Sequence, residues 1–129
     1  MIENLIQNLI AISLGMMIFF SFIVAPVIFK VLNVKDAGKF VRKIFPYYYL
    51  INLLFTLIVV GLFFYISSID LNFYITLMIL FLFLFLLFIL MPLINKFKDN
   101  NEKKKFAYSH GLSVIINLIQ IIGLIYLIV

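Results

Sequence analysis

The chain has 129 residues, 67% of them hydrophobic, a mean hydropathy of +1.28 and a net charge of +5. That composition excludes an ordinary water-soluble domain, and the length leaves room for a single domain. There is no cysteine, which rules out disulfides, thiolate metal sites and cysteine nucleophiles.

All ten Lys and Arg residues fall in two stretches, Lys30, Lys35, Lys39, Arg42 and Lys43 in one, and Lys96, Lys98, Lys103, Lys104 and Lys105 in the other. Around them lie uncharged segments at 4–29, 44–69, 71–95 and 106–129, each longer than the roughly 20 residues a membrane-crossing helix needs. The pattern predicts an all-α integral membrane protein, a four-helix antiparallel up-down bundle with spans at about 6–29, 45–66, 72–94 and 107–128. A β-barrel would show short alternating segments instead of long apolar runs. Cationic loops stay on the cytoplasmic side, so both termini are expected outside, most simply across a bacterial inner membrane. The charge is local to these loops. It marks topology and offers a surface to anionic lipid, and it does not suggest nucleic acid.

The first span carries Glu3 and no basic leader, so it reads as a true span and not as a cleaved signal peptide. Ala11, Gly15, Ser21 and Ala25 fall within an arc of about 120°. They form a small-residue face that another helix can approach, a homodimer partner included. Pro26 is expected to kink or end this helix. A short helix capped by Asp36 is expected in the first basic loop, with Phe40, Val41 and Ile44 dipping toward lipid. Pro46 then fits the first turn of the second span, where Asn52 and Thr56 extend the face of Tyr48. The third span has no polar side chain from Leu77 to Met91 and is expected to be the most lipid-exposed, with Pro92 and Asn95 at its inner end. On the fourth, His110, Ser113, Asn117 and Gln120 share an arc of about 80°, while Gly111 and Gly123 allow close packing elsewhere. The seven tyrosines, Tyr47, Tyr48, Tyr49 and Tyr108 inside and Tyr65, Tyr74 and Tyr126 outside, are expected to form the interfacial belt.

No Asp, Glu, Lys or Arg lies at hydrocarbon depth. Proton-coupled exporters, including the small four-helix multidrug exporters, need such a group. The polar stripes on the second and fourth spans are the candidate site. One reading makes them interhelical hydrogen bonds, worth about 0.6 kcal/mol each. The other makes Asn52, Asn117 and Gln120 the lining of a ligand or ion path. His110, the single histidine, has no evident metal or haem co-ligand. Ser109 and Ser113 have no acidic partner for a catalytic triad. No enzyme site and no cofactor site is read.

Residues 15–29, 37–49 and 110–117 resemble the transmembrane protein 205-like family, a domain of unknown function (4149). The resemblance implies a four-helix membrane protein without an assigned mechanism. It draws weight to Gly15, Pro26, Phe45, Pro46, Tyr47, Asn95 and Gly111, and again to His110, Ser113 and Asn117, mostly in the cytoplasmic half. The expected function is non-enzymatic, through helix or lipid association. The rivals are a small transporter with a cytoplasm-facing polar cavity reaching Asn117 and Gln120, and a haem- or metal-handling membrane enzyme.

Overall fold

The computed structural model describes the whole chain, Met1–Val129, and its regular structure is entirely helical. Four helices are long and apolar enough to cross a membrane: α1 (Ile2–Val31), α2 (Val34–Tyr65), α3 (Leu71–Asp99) and α4 (Lys103–Ile128). Each packs on its chain neighbours, and α4 closes the ring on α1. Met17, Ile79 and Phe83 are completely enclosed at its centre. Lipid is as apolar as these side chains, so the gain from enclosing them is the dispersion of close packing rather than escape from water.

The helix starts are set by polar caps. Asn33 caps α2 by accepting from the Asp36 N–H at 2.8 Å, while its amide donates to the Asp36 carboxylate at 3.0 Å. The expected cap at Asp36 is therefore displaced to Asn33, with Asp36 as its reciprocal partner three residues on. No separate loop helix forms. α2 runs unbroken from Val34, and Pro46 lies inside it rather than in its first turn. Asp70 caps α3 by accepting from the Phe73 N–H at 3.2 Å.

The other two prolines act differently. A π turn, Phe20–Val24, ends just before Pro26, and another, Leu86–Leu90, ends just before Pro92. In each the last N–H reaches back five residues, Ala25 to the Phe20 carbonyl and Met91 to the Leu86 carbonyl. Proline lacks the N–H and its ring crowds the carbonyl four residues back. The wider turn gives that carbonyl room, and both helices continue past the proline.

Three further expectations are corrected. α3 is not the most lipid-exposed helix: 28% of its most apolar stretch is buried against 11% for α1. Core and lipid are both apolar, so an unbroken greasy sequence cannot say which it faces. Tyr48 and Tyr49 leave the tyrosine belt and turn inward, 8% and 6% exposed, whereas the other five tyrosines lie on the surface. Of the two α4 glycines only Gly123 meets a close neighbour. A Cβ there would lie 3.0 Å from Ile79 Cδ1, while Gly111 faces open space. The inward face of α1 is Ile6, Ile10, Ser13 and Met17. Ala11 and Gly15 point away from the bundle.

Candidate functional site

The polar residues of α2 and α4 meet at one point. The Tyr48 hydroxyl donates to Asn117 Oδ1 at 2.8 Å, and Asn117 Nδ2 donates to Ser21 Oγ at 2.9 Å. Three helices are joined by this relay, and Ser21 enters it from the π turn of α1. A second junction lies one turn deeper. Ser13 donates to Asn52 Oδ1 at 2.6 Å, and Asn52 Nδ2 donates to the Tyr48 carbonyl at 2.8 Å. Thr56 bonds back to the Asn52 carbonyl at 2.6 Å. The two sequence stripes thus touch only through Tyr48 and Asn117, while Asn52 turns to α1. Gln120 points elsewhere, donating to the Ile79 carbonyl of α3 at 3.2 Å and leaving its own Oε1 buried without a partner.

Aromatic rings brace this region. Phe20 stacks on Tyr48 at 4.5 Å, Phe45 stacks on Tyr49 at 5.6 Å, and Phe20 meets Phe45 edge-on at 5.3 Å. Pairs of this geometry contribute about 0.5–1.5 kcal/mol each beyond simple burial. Sequence reasoning found Phe45 and Tyr48 but missed Phe20, Ser13, Ser21 and Tyr49 as site residues. The one available signal was that Ser13 and Ser21 are the only hydroxyls in an otherwise greasy first span.

Two adjoining cavities flank the cluster at the basic end. One, of about 420 Å³, lies between α1, α2 and α4, with Ser21, Tyr48, Asn117 and Ser113 in its wall. It reaches Phe22 and Pro26 on α1 and Val114 and Leu118 on α4, all outward-facing residues, so it opens sideways between α1 and α4. Before the π turn α1 packs on both α2 and α4, whereas Ala25–Val31 beyond it contacts α2 and leaves this gap beside α4. The other cavity, of about 690 Å³, lies at the ends of α2, α3 and α4 and is rimmed by Lys35, Lys39, Arg42, Lys98 and Asp99. Phe29, Val41, Phe45, Tyr49, His110 and Ser113 border both. The cavities therefore reach Asn117 and stop short of Gln120, which is fully enclosed.

Other predicted residues stand nearby or apart. His110 is exposed and stacks on Phe106 at 5.8 Å with its imidazole unbonded, and Ser113 donates to the His110 carbonyl at 2.6 Å. Arg42 grips Asp99 with two hydrogen bonds, at 2.7 and 2.9 Å, and also donates to the Asn95 carbonyl at 3.3 Å. That hydrogen bond holds the Asp99 carboxyl below the usual carboxylate range and raises Arg42 above its ordinary value. Lys105 pairs with Glu102 at 3.4 Å. Tyr47, Gly15 and Gly111 lie outside the cluster. No three His, Cys, Asp or Glu side chains gather where one metal ion could reach them.

The family described as "Domain of unknown function (DUF4149)" matches residues 8–103. The matched stretch takes in Gly15, Pro26, Phe45, Pro46, Tyr47 and Asn95 and ends before His110. An uncharacterised protein of Aquifex aeolicus (strain VF5) is 38% identical over 118 residues, covering 90% of this chain and 86% of that protein. No solved structure matches.

Proposed function

This chain belongs to the DUF4149 family, and we propose that it is a non-enzymatic multi-pass membrane protein that holds a membrane lipid in the basic half of its bundle. The observation that carries this is the cavity opening sideways between α1 and α4. Its volume falls within the roughly 300–1,000 Å³ of small-molecule sites. Its central wall groups, Tyr48, Asn117 and Ser21, already bond to one another. With these groups already partnered and ten of the fifteen lining residues hydrophobic, the cavity suits an acyl chain better than a strongly polar solute. By the positive-inside rule this half faces the cytoplasm, and the compact chain and its family favour a bacterial inner membrane. The narrower placement with the transmembrane protein 205-like group belongs to the same reading and rests on residues 15–29, 37–49 and 110–117.

Purification in a mild detergent followed by lipid extraction and mass spectrometry tests it. The wild type retains lipid stoichiometrically, and Ala25→Trp, which fills the cavity from its α1 wall, retains none while keeping its helix content. Equal retention by both overturns the reading. The homodimer is proposed on the outward face of Ala11 and Gly15, where a Cβ on Gly15 meets nothing within 4 Å. Crosslinking in lipid that returns monomers alone removes it.

The transporter reading draws on one observation, the unpartnered buried Oε1 of Gln120. On a solute path it would be the next acceptor beyond Asn117. A Gln120→Cys variant labelled by a membrane-impermeant thiol reagent favours that reading, and complete protection removes it.

A further inference from the structure

The cavity of about 690 Å³ at the helix ends carries more charge than its surroundings neutralise. Four cations, Lys35, Lys39, Arg42 and Lys98, stand on its rim against one carboxylate, Asp99. Asp99 is already taken by Arg42 in a two-pronged pair. Lys35, Lys39 and Lys98 have no ion-pair partner, since the chain's two salt bridges are Arg42–Asp99 and Lys105–Glu102. Lys98 is drawn inward instead. Its ammonium lies 5.5 Å from the centre of the Phe106 ring and approaches the bare backbone of Gly38, where a Cβ would stand 2.8 Å from it.

Tyr49 lies below this rim and borders both cavities. It is 6% exposed, yet its hydroxyl has no partner in the chain, in contrast to the bonded hydroxyl of Tyr48. The ring is enclosed while the hydroxyl itself is not sealed off, so it remains free to donate to a group in the cavity. The two cavities thus join an unbalanced cationic mouth, an unanswered hydroxyl donor and an apolar groove open sideways between α1 and α4.

We infer that the bound lipid is an anionic glycerophospholipid, its phosphate held by Lys35, Lys39 and Lys98, an ester oxygen accepting from Tyr49, and one acyl chain in the groove beside Pro26. This rests on the lipid-binding reading above and adds the class of headgroup. The chain itself gives little selectivity, because a groove in hydrocarbon is scarcely more apolar than the bilayer. Discrimination must come from the headgroup, where each nearby lysine is worth about fivefold in affinity for an anionic surface.

The test is native mass spectrometry of the full chain in nanodiscs made with phosphatidylglycerol or with phosphatidylcholine. The expected result is preferential retention of phosphatidylglycerol. The triple variant K35Q/K39Q/K98Q should lose more than about tenfold of that preference, with a smaller loss for phosphatidylcholine, whose choline cation offsets its phosphate. A charge-matched control, K30Q/K103Q/K104Q, alters lysines outside the cavity and should keep the preference. Tyr49→Phe should weaken retention of both lipids about two- to fivefold by removing one hydrogen bond. Equal retention of the two lipids by the wild type overturns the headgroup assignment and leaves lipid binding standing. An equal loss in the control triple also overturns it, because the effect would then be general surface charge. Retention of neither lipid overturns this inference and the lipid-binding reading together.

Discussion

Asn52 is 1% exposed and uses both ends of its amide. Removing its donor with Ser13→Ala leaves Oδ1 without a partner in a region water does not reach. Interhelical bonds of this kind average about 0.6 kcal/mol, with a maximum near 1.7. Ser13→Ala should lower stability by an amount in that range, read by reversible unfolding in mixed micelles. The Tyr48–Asn117 bond should give a coupling of about 0.6 kcal/mol in a double-mutant cycle of Tyr48→Phe with Asn117→Ala. At the exposed Arg42–Asp99 pair the sign of the pH effect follows from a carboxyl held low in the folded chain. Its contribution is complete above the unfolded carboxylate value of about 3.9 and disappears as pH falls through the lower folded value. The difference in melting temperature between the wild type and Asp99→Asn should therefore close below about pH 4, and should narrow in high salt. Residue types and helix faces in this site were legible in the sequence, and the Tyr48–Asn117 meeting follows from them. The partner of Asn52 was not. A face points between two neighbouring helices, and only packing decides that Asn52 takes Ser13 of α1 while Gln120 takes the Ile79 carbonyl of α3.

Helices respond to proline according to where the displaced carbonyl can go. Pro26 and Pro92 each follow a π turn, and Pro46 does not. The sequence marks all three positions as breaks but says nothing about which response each helix makes. The π turn on α1 also carries Ser21 to Asn117, and beyond it Ala25–Val31 contacts α2 and leaves the gap beside α4. Pro26→Ala restores the missing N–H and lets the turn relax to α-helical spacing. It should keep full helicity by circular dichroism and lose retained lipid, whereas Pro92→Ala, whose side chain borders neither cavity, should keep it. Glycines on α4 give a second contrast. Gly111→Ala enters open space and should be neutral or stabilising by up to about 1 kcal/mol. Gly123→Val forces Ile79 to shift and should cost about 1–3 kcal/mol, as overpacking does.

The charge pattern of the whole molecule is its simplest feature. Both basic stretches meet at one end of the bundle, and the other end holds Glu3 and Asp70 around a smaller cavity of about 200 Å³. An enzymatic reporter that works only outside the cytoplasm should be active when fused after Val129 and inactive when inserted at Asn101. The reverse pattern would invert the proposed orientation. The number of helices was readable because bilayer thickness imposes it, whereas the continuation of α2 back to Val34 was not. Their sides were not, because greasy residues serve both interior and lipid, and so α1 rather than α3 is the peripheral helix. Two residues, Leu32 and Asn33, are all that separate Val31 from Val34. The last turns of α1 are therefore yoked to the start of α2, which bears Lys35 and Lys39. A guest that widens the side entrance should therefore be felt at the water's edge as altered lysine reactivity.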